Sequence, residues 1–559
     1  MKKLPIGISD FRELREGNFF FADKSLLIKD IINDDSKIIL LPRPRRFGKT
    51  LNLSMLKYFF EKNDSKHETR QFFSELSIEK EHLFQLHFAR YPVIYLTLKN
   101  IKYSNFTNDL EPIELLIANE FERHDYLLKS DALTQVQKKR FEDIIHLNAK
   151  RPVLEASLFD LSHYLYTYHK KRAIVLIDEY DTPIQSAFIE GYYKETIRFF
   201  RIFLGSVLKD NPNIYKGVLS GILRVARESI FSDMNNIGVY SILREEYSPF
   251  FGFTENDIKL LISDYEITKS LEEIKKWYDG YTFGKQLIYN PWSILNFISS
   301  KDQKFRPYWA NTSSNILIQE LFAGSRSSLK GELYDLLKDT PVHKQIEENI
   351  SFETIKTNDT ALYSFLLFCG YLKAEDCFTI ERQDHYRLKI PNIEVKMIFE
   401  NMIVQWLNES YQDNDKLRKM LQALVNGNVM VFEELLNDFV LTTMSYFNTG
   451  GKNDVEKVYQ AFILGLLVNL SADYDVTSEK ESGFGRYDIS VVPKDKKQKA
   501  IIMELKKINS SETKDKAISN ALLQINEKKY DTAIIAQGVN QIDKIAVVFD
   551  GKKVWCKKE

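Results

Sequence analysis

Short apolar runs alternate with segments of helical spacing along the first half of the chain. Four of these runs stand out: "KIILLP" (37–42), "YPVIYLTL" (91–98), "RAIVLIDE" (172–179) and "IYKGVLSGI" (214–222). Continuous apolar strands separated by helices are typical of a parallel sheet that is buried on both faces. The pattern therefore predicts an α/β core. The long gap between Lys49 and Asp178 predicts a mostly helical insertion around residues 100–170.

The pattern changes twice further along the chain. Residues from about 245 to 440 have mostly helical spacing, with one hairpin predicted at "FTIERQDHYRLKIP" (378–391). After the linker "NTGGKND" (448–454), the order becomes helix, strand, turn, strand, helix. We therefore predict three segments: a parallel-sheet domain at 1–245, a helical connecting region at 246–445 with a winged-helix-like candidate near 361–405, and a smaller α/β domain at 446–559.

The composition is that of an ordinary globular protein, with 559 residues, 44% apolar, 28% charged and a formal net charge of -1. This balance does not indicate a general affinity for nucleic acid or membranes, so any basic surface must be local. Cys369, Cys377 and Cys556 are too few and too irregularly spaced for a disulfide framework or a zinc cluster. We find no signal peptide and no apolar run that could span a bilayer, so we expect a soluble cytoplasmic protein without a membrane partner.

The stretch "LPRPRRFGKT" (41–50) lies between a predicted strand and a predicted helix. Its last residues, Gly48, Lys49 and Thr50, are those that end a phosphate-binding loop, although Arg43 stands where the first glycine of GxxxxGK(S/T) would be. Gly48 would let the backbone approach a phosphate, Lys49 would reach the β- and γ-phosphates, and Thr50 would bind Mg²⁺. A basic strand–helix turn without a ligand is the alternative that this stretch alone leaves open.

Two later strand ends add polar groups at the same edge of the predicted sheet. "RAIVLIDEYD" presents Asp178 as a Mg²⁺ ligand and Glu179 as a residue that orients or activates water. "GVLSGILR" brings Ser220 to that edge and places Arg224 just beyond it, where an arginine can neutralise charge during phosphoryl transfer. The alternatives are a solvated acidic turn after a buried strand and an arginine paired to local carboxylates.

A hairpin is predicted in "GRYDISVVPKDKKQKAIIMELKK" (485–507). If it is centred on Lys496, opposed residue numbers add up to 992, and Asp488 faces Glu504 with Cβ atoms about 5 Å apart. Lys506 would lie on the same face as Glu504, while Leu505 would point into packing. Two carboxylates and an ammonium on one face are stabilised by a hard cation such as Mg²⁺, and the lysine could act on the attacking water. A surface hairpin with an ordinary Glu–Lys pair is the alternative.

Several stretches together resemble the AAA-ATPase-like family, whose members usually carry a C-terminal PD-(D/E)XK nuclease-superfamily domain. They are "GISDFRELREGNFFFADKSLLI", "LPRPRRFGKTLNLSML", "IVLIDEYDTPI", "LSGILRVARESIFS", "WYDGYTFG", "YNPWSILNF" and "YWANTSSN". The resemblance implies a P-loop ATPase domain at 1–245 and a restriction-endonuclease-like nuclease domain at 446–559. Because an arginine-rich loop start is usual in this family, it also implies that Arg45, Arg46 and Phe47 bind the nucleotide. "WYDGYTFG" (277–284) is interpreted only as a packing turn.

The C-terminal motifs also resemble the superfamily pattern of helix, D, ExK and helix. Tyr487 replaces the proline that usually precedes the aspartate, here Asp488. The resemblance implies that Glu456 is the first-helix acid and that Gln524, with Tyr530, belongs to the accessory helix. The catalytic set that it implies is therefore Asp488, Glu504, Lys506, Gln524 and Glu456, and the implied metal ligands of this domain are Asp488 and Glu504.

Lysines make the final domain locally basic, which suits contacts with phosphodiesters but is also typical of a solubilising fringe. They are Lys494, Lys496, Lys497, Lys499, Lys506, Lys507, Lys528 and Lys529. We predict an ATP-binding, hydrolysing protein with a Mg²⁺-dependent nuclease domain that acts on nucleic acid, DNA being favoured over RNA, in an oligomeric state left open. Two alternatives remain: a nucleotide-gated binding or signalling switch with an inert nuclease-like domain, and an ATPase that does not act on nucleic acid.

Overall fold

The computed structural model describes most of the chain: residues 2–62, 66–225, 236–309, 332–333, 335–337, 339–400, 414–443, 463, 466–467, 470, 473–478, 481–482, 485–508, 512–550 and 553–559. These residues form two compact units. The first unit comprises Met1–Thr312 and His343–Glu394, and the second comprises Ser313–Val342 and Val395–Glu559. The predicted segments 1–245, 246–445 and 446–559 stay a prediction.

A five-stranded parallel sheet forms the centre of the first unit, in the spatial order β2–β3–β4–β1–β6. The strands are β1 (Ile38–Pro42), β2 (Val93–Thr97), β3 (Ala173–Asp178), β4 (Ile214–Gly221) and β6 (Ile237–Val239). The first four confirm the four predicted runs. The sequence analysis missed β6, because three partly buried residues at a sheet edge have little apolar signal.

The register of this sheet brings the carboxyl ends of four strands to one edge. Pro42 at the end of β1 pairs with Gly221 at the end of β4. Asp178 at the end of β3 pairs with Thr97 in β2. Since parallel strands end at the same edge, the loop after β1 lies beside the last residues of β3 and β4.

Helices of the first unit pack against this parallel sheet. The predicted insertion is confirmed as mostly helical and consists of Phe106–Glu122, Gln135–Ile145 and Arg151–His169. The other helices of the first unit are Phe11–Glu16, Leu27–Asn33, Lys49–Phe60, Lys66–Gln71, His82–His87, Thr182–Glu190, Tyr193–Leu208, Glu255–Asp264, Leu271–Tyr278, Pro291–Ser299, Phe352–Ile355 and Asp359–Phe368. Short 3₁₀ turns occur at Ser77–Lys80, Asp125–Leu127 and Ser248–Phe250.

Three small sheets complete the first unit. They are β5 (Arg224–Val225) with β10 (Asn349–Ile350), β7 (Tyr281–Phe283) with β8 (Gln286–Ile288), and β9 (Val342–Gln345) with β12 (Gln383–Lys389) and β11 (Lys373–Ile380). The hairpin predicted at 378–391 is confirmed as β11 and β12. Its two turn residues, Glu381 and Arg382, are both left-handed, as a two-residue hairpin turn requires. The winged-helix-like assignment of 361–405 stays a prediction.

A mixed sheet with the order β13–β16–β17–β18–β19 forms the second unit, and only β17 and β18 pair in parallel. Its strands are β13 (Tyr474–Ser478), β16 (Ile489–Pro493), β17 (Ala500–Lys507), β18 (Ile542–Asp550) and β19 (Lys553–Lys558), beside the small pair β14 (Glu481–Ser482) and β15 (Gly485–Arg486). The described helices are Asn414–Val425, Val429–Thr443, Lys514–Glu527 and Thr532–Ala536.

The two faces of β17 pack against different helices of the second unit. Met503 and Leu505 belong to the core beneath helices 414–425 and 429–443. Ile502 belongs to the core on the other face, with Ile525 of helix 514–527. The α/β multidomain class predicted from the sequence is confirmed, with a parallel-sheet unit, a helical middle part and a mixed-sheet C-terminal region. Within the described parts of the chain, no helix combines the length and the apolar character needed to cross a bilayer.

Candidate nucleotide and nuclease sites

The loop between β1 and helix Lys49–Phe60 has the shape that a phosphate needs. Gly48 adopts a left-handed φ of 81°, which glycine tolerates without strain, and the space around its missing Cβ is open. No side chain of the described residues caps the start of the helix. The N–H groups of its first turn and its positive dipole end are therefore available to an anion.

Lys49 lies folded along this loop. Its Nζ donates hydrogen bonds to the carbonyl oxygens of Arg43 (3.0 Å) and Pro44 (2.9 Å). Burial lowers the pKa of Lys49, and the nearby carboxylates of Glu179 and Asp178 oppose that shift. The Lys49 side chain therefore lies among backbone carbonyls and acids, where a phosphate could replace the carbonyl contacts.

Asp178 forms hydrogen bonds with residues of the two other predicted motifs at this edge of the sheet, Thr50 and Ser220. Its Oδ2 accepts a hydrogen bond from the Thr50 hydroxyl at 2.7 Å, and its Oδ1 accepts one from the Ser220 hydroxyl. The side chain is fully buried, and burial is the main cause that raises its pKa above the usual range. The structure thus brings together Thr50 and Asp178, the two predicted metal ligands of the first unit.

Glu179 follows Asp178 in a left-handed conformation, with a φ of 50°. Its carboxylate accepts a hydrogen bond from the Thr182 hydroxyl at 3.2 Å, and its backbone N–H donates to the Ser220 hydroxyl at 3.4 Å. A non-glycine residue in this conformation is strained, and such strain is concentrated at functional sites. Glu179 also lines a cavity together with Lys49, so its carboxylate lies beside the phosphate loop.

Arg43 occupies the position at which the GxxxxGK(S/T) motif has its first glycine. The side chain is fully buried and donates to the carbonyl oxygens of Pro42 (2.8 Å) and Tyr240 (2.6 Å). The guanidinium lies over the rings of Phe251 (4.9 Å) and Phe283 (5.5 Å), and burial lowers its pKa to about 9. Arg43 therefore stabilises the base of the loop from the core side.

The next two arginines make different contacts. Arg45 donates from Nη2 to the Gln185 side chain at 2.8 Å, next to the phosphate loop on helix Thr182–Glu190. Arg46 has a left-handed φ of 69°, and its guanidinium lies 3.8 Å from the centre of the Trp292 ring. Both arginines were predicted to bind the nucleotide, and in the structure both are held by residues outside the loop.

Phe47 and the motif 277–284 pack together under the loop. The Phe47 ring is fully buried, 4.9 Å from the ring of Tyr281 and 5.3 Å from that of Phe283. Only its backbone can therefore face a phosphate. Gly280 has a φ of 100°, and a Cβ there would lie 2.1 Å from the carbonyl oxygen of Pro391. The motif 277–284 is therefore a packing turn, and its rings contact Phe47 of the phosphate loop.

Asp181 is a residue of this site that the sequence analysis missed. Its Oδ2 accepts hydrogen bonds from the backbone N–H groups of Ile222 (2.8 Å) and Leu223 (3.0 Å), and burial raises its pKa. Tyr180 donates from its hydroxyl to the Leu223 carbonyl. These contacts shape the turn that leads to Arg224, whose buried Nε has no hydrogen-bond partner among the described residues. The third acid of "DEYD" was the available signal.

The hairpin of the second unit has the predicted register. Ile489 pairs with Met503 and Val491 with Ile501, so opposed residue numbers add up to 992. Asp488 lies directly before β16, at the level of Glu504, and its Oδ2 accepts a hydrogen bond from the backbone N–H of Leu505 at 2.7 Å. The Asp488 carboxylate is thus held against the strand that carries Glu504.

Glu504 lies in the interior beside Asp488 and Lys506. It is 1% exposed, its Oε1 lies 3.1 Å from Nζ of Lys506, and its buried Oε2 has no hydrogen-bond partner among the described residues. Burial, and then the negative charge of Asp488, raise the pKa of Glu504 well above its usual range, against the opposing effect of Lys506. A cation between the two carboxylates would replace the proton that this environment otherwise favours.

Tyr530 links the accessory helix to the carboxylates. Its hydroxyl accepts a hydrogen bond from Nε2 of Gln524 at 3.1 Å, and the charges of Glu504 and Asp488 help burial to raise its pKa. The ring of Tyr487, at the position of the usual proline, lies edge-on to Tyr530 at 6.2 Å. Gln524 thus contacts Tyr530, and its part in the site stays a prediction. Glu456 lies outside the described residues.

The oxygen donors of both sites fit Mg²⁺. In the first unit they are the Thr50 hydroxyl and the Asp178 carboxylate, and in the second the Asp488 carboxylate and the unpartnered Oε2 of Glu504. Hard oxygen ligands in small numbers, completed by water and phosphate oxygens, suit this ion. No cluster of three or more His, Cys, Asp or Glu side chains that could hold a metal occurs within the described ranges.

Comparison with known proteins confirms the architecture read from the motifs. Residues 5–231 match a family model described as a predicted AAA-ATPase, and residues 454–559 match one described as the PD-(D/E)XK nuclease superfamily. The chain is also similar to an uncharacterized protein in the vnfD 5′ region of Azotobacter chroococcum mcd 1. The identity is 24% over 497 residues, which cover 88% of this chain and 87% of the relative.

Proposed function

Since this chain joins an AAA-ATPase-like region to a region of the PD-(D/E)XK nuclease superfamily, we propose that it is an ATP-hydrolysing protein with a Mg²⁺-dependent nuclease site. The observation that carries the ATPase part is the convergence of Thr50, Asp178 and Ser220 beside Lys49. The observation that carries the nuclease part is the buried Glu504 beside Asp488 and Lys506.

In the ATPase site, each side chain has a role that follows from its place. Lys49 leaves the carbonyls of Arg43 and Pro44 and neutralises charge on the β- and γ-phosphates. Thr50 and Asp178 would hold Mg²⁺, which would supply positive charge to the phosphates. Glu179 orients the attacking water and accepts its proton. Asp181 sets the position of Arg224 through the turn after β4, and Arg224 stabilises the charge that develops during transfer.

In the nuclease site, the carboxylates of Asp488 and Glu504 would hold Mg²⁺, which would supply positive charge for the scissile phosphate. Lys506 orients the attacking water and contacts the phosphate. Gln524 and Tyr530 form the wall of the site on the side of helix Lys514–Glu527. Asp488 stays in place because the N–H of Leu505 binds its carboxylate.

The substrate that we propose is nucleic acid, with DNA favoured over RNA. Exposed lysines lie in the turn between β16 and β17 and just after helix Lys514–Glu527: Lys494, Lys496, Lys497, Lys499, Lys528 and Lys529. Such lysines bind phosphates without reading sequence, and their affinity falls with salt. These contacts suit a nuclease that acts on the backbone.

One experiment tests both parts. The purified chain is incubated with mixed single- and double-stranded DNA and RNA, with and without Mg²⁺ and ATP, while cleavage and phosphate release are followed. We expect cleavage only with Mg²⁺ and phosphate release only with Mg²⁺-ATP. Binding of nucleic acid without cleavage at any Mg²⁺ concentration would support the alternative of a nucleotide-gated switch with an inert nuclease-like domain. Absence of both binding and cleavage at low salt would contradict the nucleic-acid substrate.

A further inference from the structure

A tryptophan lies on the same face of the C-terminal sheet as the proposed nuclease site. The ladder pairs Lys506 of β17 with Val548 of β18, and Val548 with Trp555 of β19. Directly paired residues point to the same face of a sheet, so Trp555 shares the face that carries Glu504 and Lys506. Two strand spacings of about 4.8 Å separate Trp555 from Lys506, which places their backbones about 10 Å apart.

The packing of Trp555 agrees with this register. Its side chain packs against a small core that includes Ala517 and Ala521 of helix Lys514–Glu527 and Val548 of β18. Val548 is completely buried in this core, whereas Trp555 is only partly buried. The core therefore holds one part of the indole ring against the sheet and leaves the other part in contact with solvent.

Positive charge predominates around this ring. Nζ of Lys514, the first residue of helix Lys514–Glu527, lies 5.8 Å from the centre of the Trp555 ring. The described charged residues at the start of this helix and at the end of the sheet where β17 and β18 finish are five lysines and three acids: Lys506, Lys507, Lys514, Lys516, Lys553, Glu512, Asp515 and Asp550. An aromatic ring within a basic surface is the combination that binds single-stranded nucleic acid.

An aromatic ring in this place discriminates between single-stranded and double-stranded DNA. A base can stack on a side chain only where its own face is accessible, and in a duplex the neighbouring base pairs cover that face. The lysines bind phosphates of either form, because backbone contacts carry no information about the bases. Trp555 therefore adds a contact that an unpaired base can make and a paired base cannot.

We propose that Trp555 stacks on an unpaired base of single-stranded DNA next to the scissile phosphate, and that Lys514 contacts a phosphate of the same DNA strand. The inference rests on the proposed nuclease function and deepens it, because it names single-stranded DNA as the preferred form of the substrate. It assigns a binding role to β19, whose residues carry none of the carboxylates of the nuclease site.

The test measures binding of two DNA probes to the full chain without Mg²⁺, so that no cleavage occurs: a single-stranded oligonucleotide, and an abasic oligonucleotide with the same sugar-phosphate backbone. We expect Trp555→Ala to weaken binding of the first probe about fivefold to a hundredfold, the range for loss of one stacking contact, and to leave binding of the abasic probe unchanged. Trp555→Phe should retain most of the affinity. Leu523→Ala, at an exposed apolar residue of helix Lys514–Glu527, is the matched control and should bind both probes as wild type does.

Three results would overturn the proposal. Equal affinity of wild type and Trp555→Ala for the single-stranded probe would remove the base contact and leave the proposed nuclease intact. Equal weakening of both probes would show that Trp555 acts only through the fold. Failure of wild type to bind either probe at low salt would contradict the proposed substrate itself, and the inference with it. If thermal melting shows that Trp555→Ala does not fold, Trp555→Leu, which keeps an apolar contact with Ala517, decides by the same comparison.

Discussion

The Thr50 hydroxyl donates a hydrogen bond to Asp178 at 2.7 Å, although 128 positions separate the two residues in the chain. Their contact joins the start of helix Lys49–Phe60 to the end of β3. In the sheet, β3 is separated from β1, the strand before this helix, by β4. Both oxygens belong to groups that bind Mg²⁺, so the preformed pair lowers the cost of organising a metal site. Lys49 and Glu179 line the same cavity as Thr50.

We expect Lys49→Ala to weaken binding of a non-hydrolysable ATP analogue about tenfold to a hundredfold, because a charge-assisted contact with the β- and γ-phosphates is lost. Calorimetry of both proteins measures the change. Lys62→Ala, at an exposed lysine just beyond the same helix, is the control and should bind as wild type. Equal affinities of Lys49→Ala and wild type would contradict the nucleotide site.

Glu179→Gln should keep the binding of ATP and slow its turnover by about 10²–10⁴-fold, since the amide cannot accept a proton from water. The Thr182 hydroxyl can still donate to the amide oxygen, so the local structure should persist. Steady-state phosphate release and analogue binding are measured on the same preparation. Glu190→Gln, at an exposed acid of the adjacent helix, should turn over normally. If Glu179→Gln also does so, Glu179 is not the catalytic base.

Asp488→Asn and Glu504→Gln should each reduce Mg²⁺-dependent cleavage more than about a hundredfold, because each loses a metal ligand and not only a supporting contact. Binding of nucleic acid should stay the same or become tighter, as a negative charge near the phosphate is removed. Both variants should fold, since removal of one charge relieves the repulsion that raises the pKa of Glu504. Cleavage rate against Mg²⁺ concentration, with thermal melting, is the measurement.

The control for these variants is Asp495→Asn, at an exposed acid in the turn of the same hairpin. It should cleave as wild type. Cleavage at the wild-type rate by Asp488→Asn would end the nuclease assignment, whereas loss of folding in both variants would favour a purely structural hairpin.

Lys506→Ala should slow cleavage by about 10²-fold or more while keeping the binding of Mg²⁺. The ammonium lies 3.1 Å from Oε1 of Glu504 and opposes the rise of that residue's pKa. Its removal should therefore also move the pH profile of cleavage to higher pH. The rates are measured across pH in parallel with Lys497→Ala, at an exposed lysine of the turn. A profile that keeps both its height and its position would show that Lys506 has no part in the reaction.

Glu394 should make the free energy of unfolding depend on pH. Burial raises its pKa from the ordinary value of 4.5 to about 7, although the N–H of Trp309 and the hydroxyl of Ser293 donate to the carboxylate. The folded protein therefore binds this proton more tightly than the unfolded chain. Its stabilising contribution is complete below about pH 4.5 and is lost as the pH rises through 7, by at most about 3 kcal/mol.

We expect Glu394→Gln to flatten this dependence, because the amide stays neutral at every pH and can still accept from Trp309. Urea unfolding between about pH 5 and pH 8 compares wild type, Glu394→Gln and Glu190→Gln, an exposed control. A wild-type slope that persists unchanged in Glu394→Gln would assign the pH dependence to other groups.

Local periodicity was sufficient to predict much of this protein. Four strands of the parallel sheet follow from short apolar runs, because most positions of a strand that is buried on both faces are apolar. The register that places Asp488 at the level of Glu504 follows from the turn and from the two-residue repeat of strand side chains. The ATPase-like and nuclease-like regions were predicted from sequence motifs that lie on and beside these strands and helices.

Only the tertiary structure decided what several residues do. Arg43 stands in a phosphate-binding motif, yet its guanidinium packs on Phe251 and Phe283, far along the chain. Asp181 binds the turn after β4 and Trp292 lies against Arg46 of the loop, although no local pattern relates these segments to one another. An arginine, an acid or a tryptophan has the same local propensity whether it contacts ligand or core, so its role depends on which distant side chains close around it.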